Sequence, residues 1–302
     1  MQPLVSIVMP SLNQVAFIPA AVESALSQSY PQLELIVADG SSSDGTQAWL
    51  AQRQTQDARL RWFSEPDTGP AEALNKALRQ AKGTLIGWLN SDDLYTPGAV
   101  LRAVQALQGR SDCLMVYGQG EHIDASGAVL ERYPTLAPPT PSSEFAKGCF
   151  ICQPTVFFRR TMWLMLGKFD QELKTAFDFD YWLRAFARFS DRIGFVDAVQ
   201  AQSRLHPDCI TLRLRRTAIL EGMQLLARHQ GHAPKEWFLT YVNQLLALPP
   251  SQQGVGDLKA HIDETLAVAK PWLRPADLEA LERELGIKGD GTLLLSDPQG
   301  RL

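Results

Sequence analysis

Between residues 4 and 89 the chain alternates between short apolar runs and segments whose apolar side chains recur at helical spacing. The apolar runs lie at residues 4–9, 33–38, 60–63 and 85–89, and each has the length and composition of a buried strand. Strands that alternate with helices form a parallel sheet joined by right-handed crossovers. The sequence therefore predicts an α/β fold in which polar loops follow the strands along one edge of the sheet.

The pattern changes after a helix predicted at residues 97–108. Apolar runs at residues 113–118 and 129–133 flank the turn sequence Asp124–Gly127 and predict an antiparallel hairpin. Further strands are predicted downstream, so we expect a mainly parallel sheet with a small antiparallel part.

Long amphipathic segments replace the strands from residue 211 onward. We therefore predict two domains, an α/β domain at residues 1–210 and a helical C-terminal extension at residues 211–302. A linker is expected at residues 252–256, and a loosely ordered tail at residues 289–302.

The composition limits the classes of function. A hydrophobic content of 45% and a charged content of 21% are those of a soluble globular protein, and a net charge of −4 gives no field that attracts nucleic acid. Four scattered cysteines suit a reducing compartment. Cys149 and Cys152 have CxxC spacing without a second pair, which favours two half-buried thiols over a zinc or redox site. Neither a signal peptide nor a membrane-spanning run is recognised, so a cytoplasmic location is expected.

Two adjacent acids, Asp92 and Asp93, directly follow the apolar run at residues 85–89. They would stand at the carboxyl end of a strand, where open α/β sheets bind ligands. Paired carboxylates ionise together only beside a cation, and oxygen ligands of this kind suit Mg²⁺ or Mn²⁺. The alternative is a solvated turn acid and a helix cap, because Thr96-Pro97 precedes a predicted helix.

Two further acids stand at comparable places. Asp39 opens the polar loop at residues 39–46, which contains neither a dinucleotide-binding glycine fingerprint nor a P-loop. Its carboxylate is placed to accept hydrogen bonds from a nucleobase or a ribose, or else to cap the loop. Asp178 lies in or just before the first turn of a predicted helix, where the helix dipole stabilises an ionised acid. This position suits either a helix-capping residue or a catalytic one.

Seven motifs together resemble those of the family 2 glycosyltransferases, in particular the polysaccharide-building members with a GT-A (Rossmann-like) fold. The resemblance covers residues 4–212 and depends on the order and spacing of the motifs. They are Pro10–Asn13, Asp39–Thr46, Glu65–Gly69, Ala73–Lys76, Gly83, Trp88–Asp93 and Asp178–Arg184.

The resemblance implies a donor site for a nucleotide-diphosphate sugar. In it Asp39 matches the acid that holds the nucleobase. Ser11 and Asn13 match the loop that lines the nucleotide, and Asp67 and Gly69 match the loop that closes over it.

The same resemblance implies a metal site for Mg²⁺ or Mn²⁺. The motif here is Ser91-Asp92-Asp93, which lacks the first acid of the strict pattern. Asp93 is expected to be the direct ligand, and Asp92 to bind ribose or a metal-bound water. His206 matches a late histidine that completes the metal or diphosphate site, although a histidine before proline is otherwise a surface turn residue.

Asp178 matches the general base of the family. The usual preceding glutamate is replaced by Phe177, and Asp180 is expected to pair with Arg184 one turn on. One base and direct attack on the anomeric carbon imply inversion, with the cation and helix N-termini stabilising the departing diphosphate.

Two other classes of function stay open at this point. A sugar nucleotidyltransferase would need a glycine-rich phosphate loop near the first strand, and none is seen. An inactive sugar-nucleotide-binding protein is disfavoured because Asp93 and Asp178 are retained.

The expected partners are a nucleotide sugar and a sugar or lipid-linked acceptor, without nucleic acid. Arg213, Arg215 and Arg216 could contact anionic lipid at the inner face of a membrane. The alternatives for the C-terminal helices are a cap on the core or a homodimer contact.

Overall fold

The computed structural model describes residues 2–249 and 255–285. The chain divides into two compact units. The first unit comprises the chain up to Ser142 together with Cys149–Leu212, and the second takes Ser143–Gly148 and the chain from Arg213. The sequence does not predict that residues 143–148 group with the helices. The expected tail at residues 289–302 and most of the expected linker at residues 252–256 lie outside the described residues.

The first unit contains a mixed sheet that has nine strands within the described residues. The strands are β1 (Val5–Ser11), β2 (Leu33–Asp39), β3 (Leu60–Ser64), β4 (Leu85–Trp88), β5 (Leu94–Tyr95), β6 (Met115–Ile123), β7 (Val129–Arg132), β8 (Phe157–Arg159) and β9 (Ile193–Arg204). Their order is β3-β2-β1-β4-β8-β6-β9-β5, and β7 pairs with β6.

The sheet is mainly parallel with an antiparallel part, as predicted. β1 to β4 run parallel, β8 is antiparallel to both β4 and β6, and β9 is parallel to β6. β7 forms the expected hairpin with β6, and Glu121 pairs with Arg132. The short β5 is not predicted by the sequence and forms by pairing with β9.

Six helices accompany the described strands of this unit. They are α1 (Ile18–Leu26), α2 (Thr46–Gln54), α3 (Pro70–Gln80), α4 (Ala99–Gly109), α5 (Arg160–Leu166) and α6 (Phe177–Phe189). Every residue of β1 and β2 is buried, as expected for central strands covered on both faces. The sequence places the start of α4 at Pro97, whereas the helix begins at Ala99 because Gly98 has a left-handed φ of 78°.

Gly83 fixes the approach of the chain to β4. A Cβ atom at this position would lie 2.6 Å from the Ser6 backbone nitrogen and 2.7 Å from the Leu4 carbonyl oxygen. Only glycine fits so close to the start of β1. The Gly83 N–H also donates to Ser6 Oγ at 2.8 Å, so β4 is held beside β1 from its first residue.

The second unit contains α8 (Arg215–Gln230), α9 (Lys235–Leu246), α10 (Leu258–Ala269) and α11 (Pro275–Glu284), and α7 (Ile210–Arg213) lies at the boundary. One helix is predicted over residues 211–230, but non-helical dihedral angles at Leu214 separate α7 from α8. None of the helices described is long and apolar enough to cross a bilayer.

Two side-chain contacts define the interior of this unit. The Trp237 indole N–H donates to the Ala146 carbonyl oxygen at 2.9 Å, which ties residues 143–148 to α9. Arg216 donates to the hydroxyl of Thr265, a fully buried residue, at 2.8 Å. Arg216 is therefore engaged within the protein, which leaves Arg213 and Arg215 for the predicted contact with lipid.

Gly222→Ala should destabilise the helical unit, although Gly to Ala in a helix usually stabilises it by about 1 kcal/mol. A Cβ at Gly222 would lie 2.3 Å from Cζ3 of the Trp237 ring, which is held by its own hydrogen bond. We expect a loss of about 1–3 kcal/mol in the free energy of unfolding, measured by denaturant titration.

Gly109→Ala is the matched control. Gly109 ends α4, and nothing lies within 4 Å of its added Cβ. A Gly222→Ala protein at least as stable as this control would contradict the packing of α8 against Trp237.

Candidate active site

Ser11, Asp39 and Ser64 end β1, β2 and β3 as direct neighbours in the sheet register. Asp39 is only 1% exposed. Its Oδ2 atom accepts hydrogen bonds from Ser64 Oγ at 2.7 Å and from the Ser42 N–H at 3.0 Å. Asp39 Oδ1 and Ser11 Oγ are buried without a hydrogen-bond partner among the described residues. Because unpaired buried polar atoms are costly, these two atoms fit a ligand that both donates and accepts.

The loops that follow β1 and β2 are joined by side chains. The Asn13 N–H donates to Ser42 Oγ at 2.7 Å, and Asn13 Oδ1 accepts from the Ser43 N–H at 2.9 Å. The Val15 N–H donates to Asp44 Oδ2 at 2.8 Å. Burial by itself would raise the pKa of Asp44, but this bond and those from Thr46 lower it. Asn13 therefore shapes the loop beside the predicted nucleotide site.

Asp67 lies over the end of β2. A Cβ at Gly40 would be 2.6 Å from Asp67 Oδ2, so this approach requires glycine next to Asp39. Asp67 Oδ1 accepts from the Gly69 N–H at 2.9 Å. Burial raises the pKa of Asp67, although that hydrogen bond lowers it in part. The structure thus brings Asp67 and Gly69 close to Asp39.

Asp92 and Asp93 point in different directions. Asp93 is 3% exposed, and its Oδ1 and Oδ2 atoms accept from the Arg204 N–H at 2.8 Å and from Asn90 Nδ2 at 3.2 Å. Burial raises the pKa of Asp93 well above its usual range, and the Asp92 charge raises it further. The Asp92 side chain is 17% exposed, and its Oδ2 lies 3.2 Å from His206 Nε2. The structure therefore pairs Asp92, rather than Asp93, with His206.

Arg204 is a component of this site that the sequence analysis misses. Its Nε donates to the Asp92 carbonyl oxygen at 2.8 Å, and its Nη1 donates to the Asp124 carbonyl oxygen at 2.9 Å. The guanidinium lies 5.1 Å from the centre of the Phe17 ring. One side chain thus connects three loops. The available signal was a basic residue at a strand end, two positions before His206.

No group of three or more His, Cys, Asp or Glu side chains within the described residues could hold a metal ion. Asp92 and His206 supply two neighbouring ligand groups. Mg²⁺ is commonly held by one or two carboxylates together with substrate phosphates, and Mn²⁺ accepts oxygen ligands of the same kind. The residues present therefore fit a cation whose remaining ligands come from a phosphorylated substrate.

Asp178 is half-buried in the first turn of α6, next to the end of β4. The ring of the preceding Phe177 stacks on Trp88, with ring centres 5.4 Å apart. Burial raises the pKa of the Cys152 thiol, and the charges of Asp93 and Asp178 both raise it further. The Phe177–Trp88 contact places the first turn of α6 beside the strand that leads to Asp92 and Asp93.

The family is decided by a match over residues 6–172 to the model of glycosyl transferase family 2, which covers more than half of the chain. The chain belongs to glycosyl transferase family 2. The chondroitin synthase of Escherichia coli is 31% identical over 182 residues, which are 60% of this chain and 26% of that protein. An uncharacterized glycosyltransferase of Rickettsia typhi is 30% identical over 217 residues, covering 68% and 64% of the two chains. The match thus spans only part of either relative.

Solved structures of other proteins share the fold of this chain. Residues 1–349 of S. aureus TarS, in complex with UDP, give a TM-score of 0.63 at 18% identity, over 92% of this chain and 83% of that one. The mannosyltransferase PcManGT from Pyrobaculum calidifontis, in complex with GDP-Man and Mn²⁺, gives 0.59 at 18% identity, over 96% and 82%. The likeness confirms the predicted GT-A fold.

Further residues of the sequence motifs hold the segments that carry the candidate site. Asn75 is fully buried, and its amide both donates to the Phe169 carbonyl oxygen at 2.9 Å and accepts from the Phe169 N–H at 3.0 Å. The Phe169 ring packs on Trp88, so Asn75 anchors the chain that leads to α6. Asp180 pairs with Arg184 at 2.8 Å, as the sequence predicts.

The CxxC segment lies beside these residues as free thiols. Burial raises the pKa of Cys149 to about 12, with a smaller contribution from Asp178. Cys149 is half-buried, as expected, whereas Cys152 is fully buried. Both thiols are therefore protonated at neutral pH.

Proposed function

We propose that this chain transfers a sugar from a nucleoside-diphosphate sugar to an acceptor hydroxyl, with inversion at the anomeric carbon and with Mg²⁺ or Mn²⁺. The observation that carries the proposal is the group of polar and acidic side chains found where the strands end. Asp39, with an oxygen that has no partner among the described residues, ends β2, and the Asp92–His206 pair follows β4 and β9. Asp178 begins the helix whose Phe177 stacks on Trp88 at the end of β4. In such a reaction Asp39 would bind the nucleobase, the Asp92–His206 pair would face the diphosphate, and Asp178 would face the acceptor hydroxyl.

The donor site favours a uridine nucleotide. Asp39 Oδ1 has no hydrogen-bond partner among the described residues, whereas Oδ2 already accepts two hydrogen bonds. Ser11 offers a free hydroxyl beside it. The imide edge of uracil has one N–H flanked by carbonyl oxygens, which matches one acceptor and one donor. Guanine would present two adjacent donors to a single free oxygen.

The metal and diphosphate are assigned to Asp92 and His206. A bound divalent cation would neutralise charge that develops on the departing diphosphate. Arg204 holds the backbone of Asp92 through its carbonyl oxygen, and Phe17 packs on His206 with ring centres 4.5 Å apart. Both ligand side chains are thereby oriented before a substrate arrives.

Asp178 is assigned as the general base. The acceptor oxygen attacks the anomeric carbon, the bond to the diphosphate oxygen breaks, and Asp178 takes the hydroxyl proton. Asp178 lies in the first turn of α6, where the helix dipole favours a negative charge, and this position supports the role. Direct attack with a single base gives inversion, because no carboxylate nucleophile is needed to form a glycosyl-enzyme intermediate.

The wider role is proposed to be the synthesis of a polysaccharide or glycolipid on a sugar or lipid-linked acceptor. The likeness to the E. coli chondroitin synthase supports the polysaccharide part. A cytoplasmic location, peripheral contact with anionic lipid through Arg213 and Arg215, and a homodimer remain proposals. Co-sedimentation with anionic vesicles tests the lipid contact, and light scattering tests the dimer.

Asp39→Asn should weaken the binding of UDP by roughly 10- to 100-fold. Placing two hydrogen-bond donors face to face costs about 1–3 kcal/mol, which corresponds to a loss of this size. The Asn oxygen would take the bonds from Ser42 and Ser64, and its NH₂ group would then meet the uracil N–H. Isothermal titration of UDP and GDP with Mn²⁺ measures the effect. Asp191→Asn, at an exposed acid before β9, is the matched control. Equal affinity of the wild type for UDP and GDP would contradict the uridine assignment.

The products of turnover separate the proposed function from its alternatives. A glycosyltransferase releases a nucleoside diphosphate when an acceptor is present. A nucleotidyltransferase releases or consumes pyrophosphate. A protein that binds UDP-sugars with Mn²⁺ but turns over none of them, with or without acceptors, would be a binding protein.

A further inference from the structure

The side-chain amides of Asn90 and Gln153 make four hydrogen bonds at the end of β4, one of them to each other, and we call these two residues the amide pair. The Trp88 indole N–H donates to Asn90 Oδ1 at 2.9 Å, and Gln153 Nε2 donates to the Trp88 carbonyl oxygen at 2.9 Å. Asn90 Nδ2 donates to Gln153 Oε1 at 2.8 Å and to Asp93 Oδ2 at 3.2 Å. The amide pair and Trp88 therefore form a closed ring of three hydrogen bonds, and a fourth bond connects this ring to Asp93.

Trp88 fixes the orientation of both amides. An indole N–H can only donate, so it must face the Asn90 oxygen, and a carbonyl oxygen can only accept, so it must face the Gln153 nitrogen. Neither amide can be turned over without placing like groups together. The Asn90 NH₂ group is consequently directed at two acceptors, Gln153 Oε1 and Asp93 Oδ2.

The amide pair connects the two halves of the site. Asn90 directly precedes the Ser91–Asp93 turn, which carries the proposed metal ligand Asp92. Trp88, to which both amides bond, stacks on Phe177, the residue before Asp178. Catalytic groups must be held in a productive geometry, and a misplacement of about 1 Å can cost roughly 100-fold in rate. A rigid link between the turn and the Asp178 side would serve this requirement.

We propose that Asn90 and Gln153 are positioning residues for sugar transfer, and that the neutral amide at each place is required. This inference rests on the proposed function. An acid at position 90 would add a third carboxylate next to Asp92 and Asp93. It would also replace the NH₂ group that donates to Asp93 and Gln153 with an anionic oxygen that cannot donate. An acid at position 153 would leave the Trp88 carbonyl oxygen without its donor.

The test uses the isosteric variants Asn90→Asp and Gln153→Glu of the full chain. For each we expect kcat to fall by at least about 10-fold, because the turn and the Asp178 side lose their fixed spacing. The KM for the nucleotide sugar should change less than kcat does, since the Asp39 end of the donor site is untouched and Asp92 and His206 are both retained. Thermal unfolding, measured alongside, reports whether each variant folds.

Gln153→Glu carries a second readout that a general loss of stability would not produce. The protonated carboxyl offers one donor to the Trp88 carbonyl oxygen and one acceptor to Asn90, as glutamine does. Asp93 and Asp178, the acids that act on neighbouring Cys152, would raise the pKa of the introduced carboxyl. The activity of Gln153→Glu relative to the wild type should therefore rise as the pH falls from 8 to about 5.5.

Gln54→Glu, at an exposed position that ends α2, is the control and should match the wild type at every pH. Wild-type kcat in both amide-pair variants would overturn the positioning role. So would parallel losses of kcat and donor affinity without recovery at low pH. If Asn90→Asp does not fold, the pH series of Gln153→Glu decides. A wild type that transfers no sugar overturns the proposed function, and the positioning role with it.

Discussion

Asp178→Asn should abolish sugar transfer while leaving the binding of the nucleotide sugar intact. The change keeps the shape of the side chain and removes its capacity to take a proton. A positioned general base contributes roughly 10²–10⁴-fold, so we expect a loss of kcat in that range. Asp178 lies in the first turn of α6, apart from the Asp39 end of the donor site. Release of UDP and calorimetric titration of the donor measure the two effects separately.

The control for this variant is Asp191→Asn, an identical chemical change at an exposed acid near the start of β9. Normal turnover by Asp178→Asn would remove Asp178 from the mechanism. A variant that no longer binds the donor would instead place Asp178 in the donor site.

Asp92→Asn should weaken donor binding, whereas Asp93→Asn should lower the stability of the protein. Asp92 faces His206 and is partly exposed, so Asp92→Asn should weaken Mn²⁺-dependent donor binding by more than about 10-fold with little change in stability. Chelation of the metal should stop the wild-type reaction, and Mn²⁺ should restore it. Titration of the donor at several Mn²⁺ concentrations gives the measurement.

Asp93→Asn should act on stability. Both Asp93 oxygens accept hydrogen bonds inside the protein, so an NH₂ group at either place meets another donor. We expect a loss of about 1–3 kcal/mol in the free energy of unfolding. If Asp93→Asn instead abolishes Mn²⁺-dependent binding and Asp92→Asn does not, Asp93 is the metal ligand that the sequence motif predicts.

The difference between these neighbouring acids shows where sequence reasoning stops. The motif places both at the tip of β4, and the structure puts them there. Which carboxylate turns inward is decided by the Arg204 N–H, which bonds to Asp93 from 111 positions further along the chain. No local pattern contains that information. The assignment of the ligand therefore needs the fold.

The central part of the fold was accessible from the sequence for a physical reason. β1 and β2 are buried along their whole length, so their apolar runs are unmistakable. β5 is only two residues long, Leu94–Tyr95, and is a strand because β9 lies beside it. Its formation depends on tertiary contact, and the same holds for the amide pair.

The capture of residues 143–148 by the helical unit has a consequence for the integrity of the chain. The backbone passes between the two units after Ser142, after Gly148 and again after Leu212. Severing it at Leu212 would not yield two whole pieces, because Phe145, a buried residue that groups with the helical unit, belongs to the other fragment. The excised helices would lack residues 143–148 of their own unit, so they are not expected to be obtained intact without the rest of the chain.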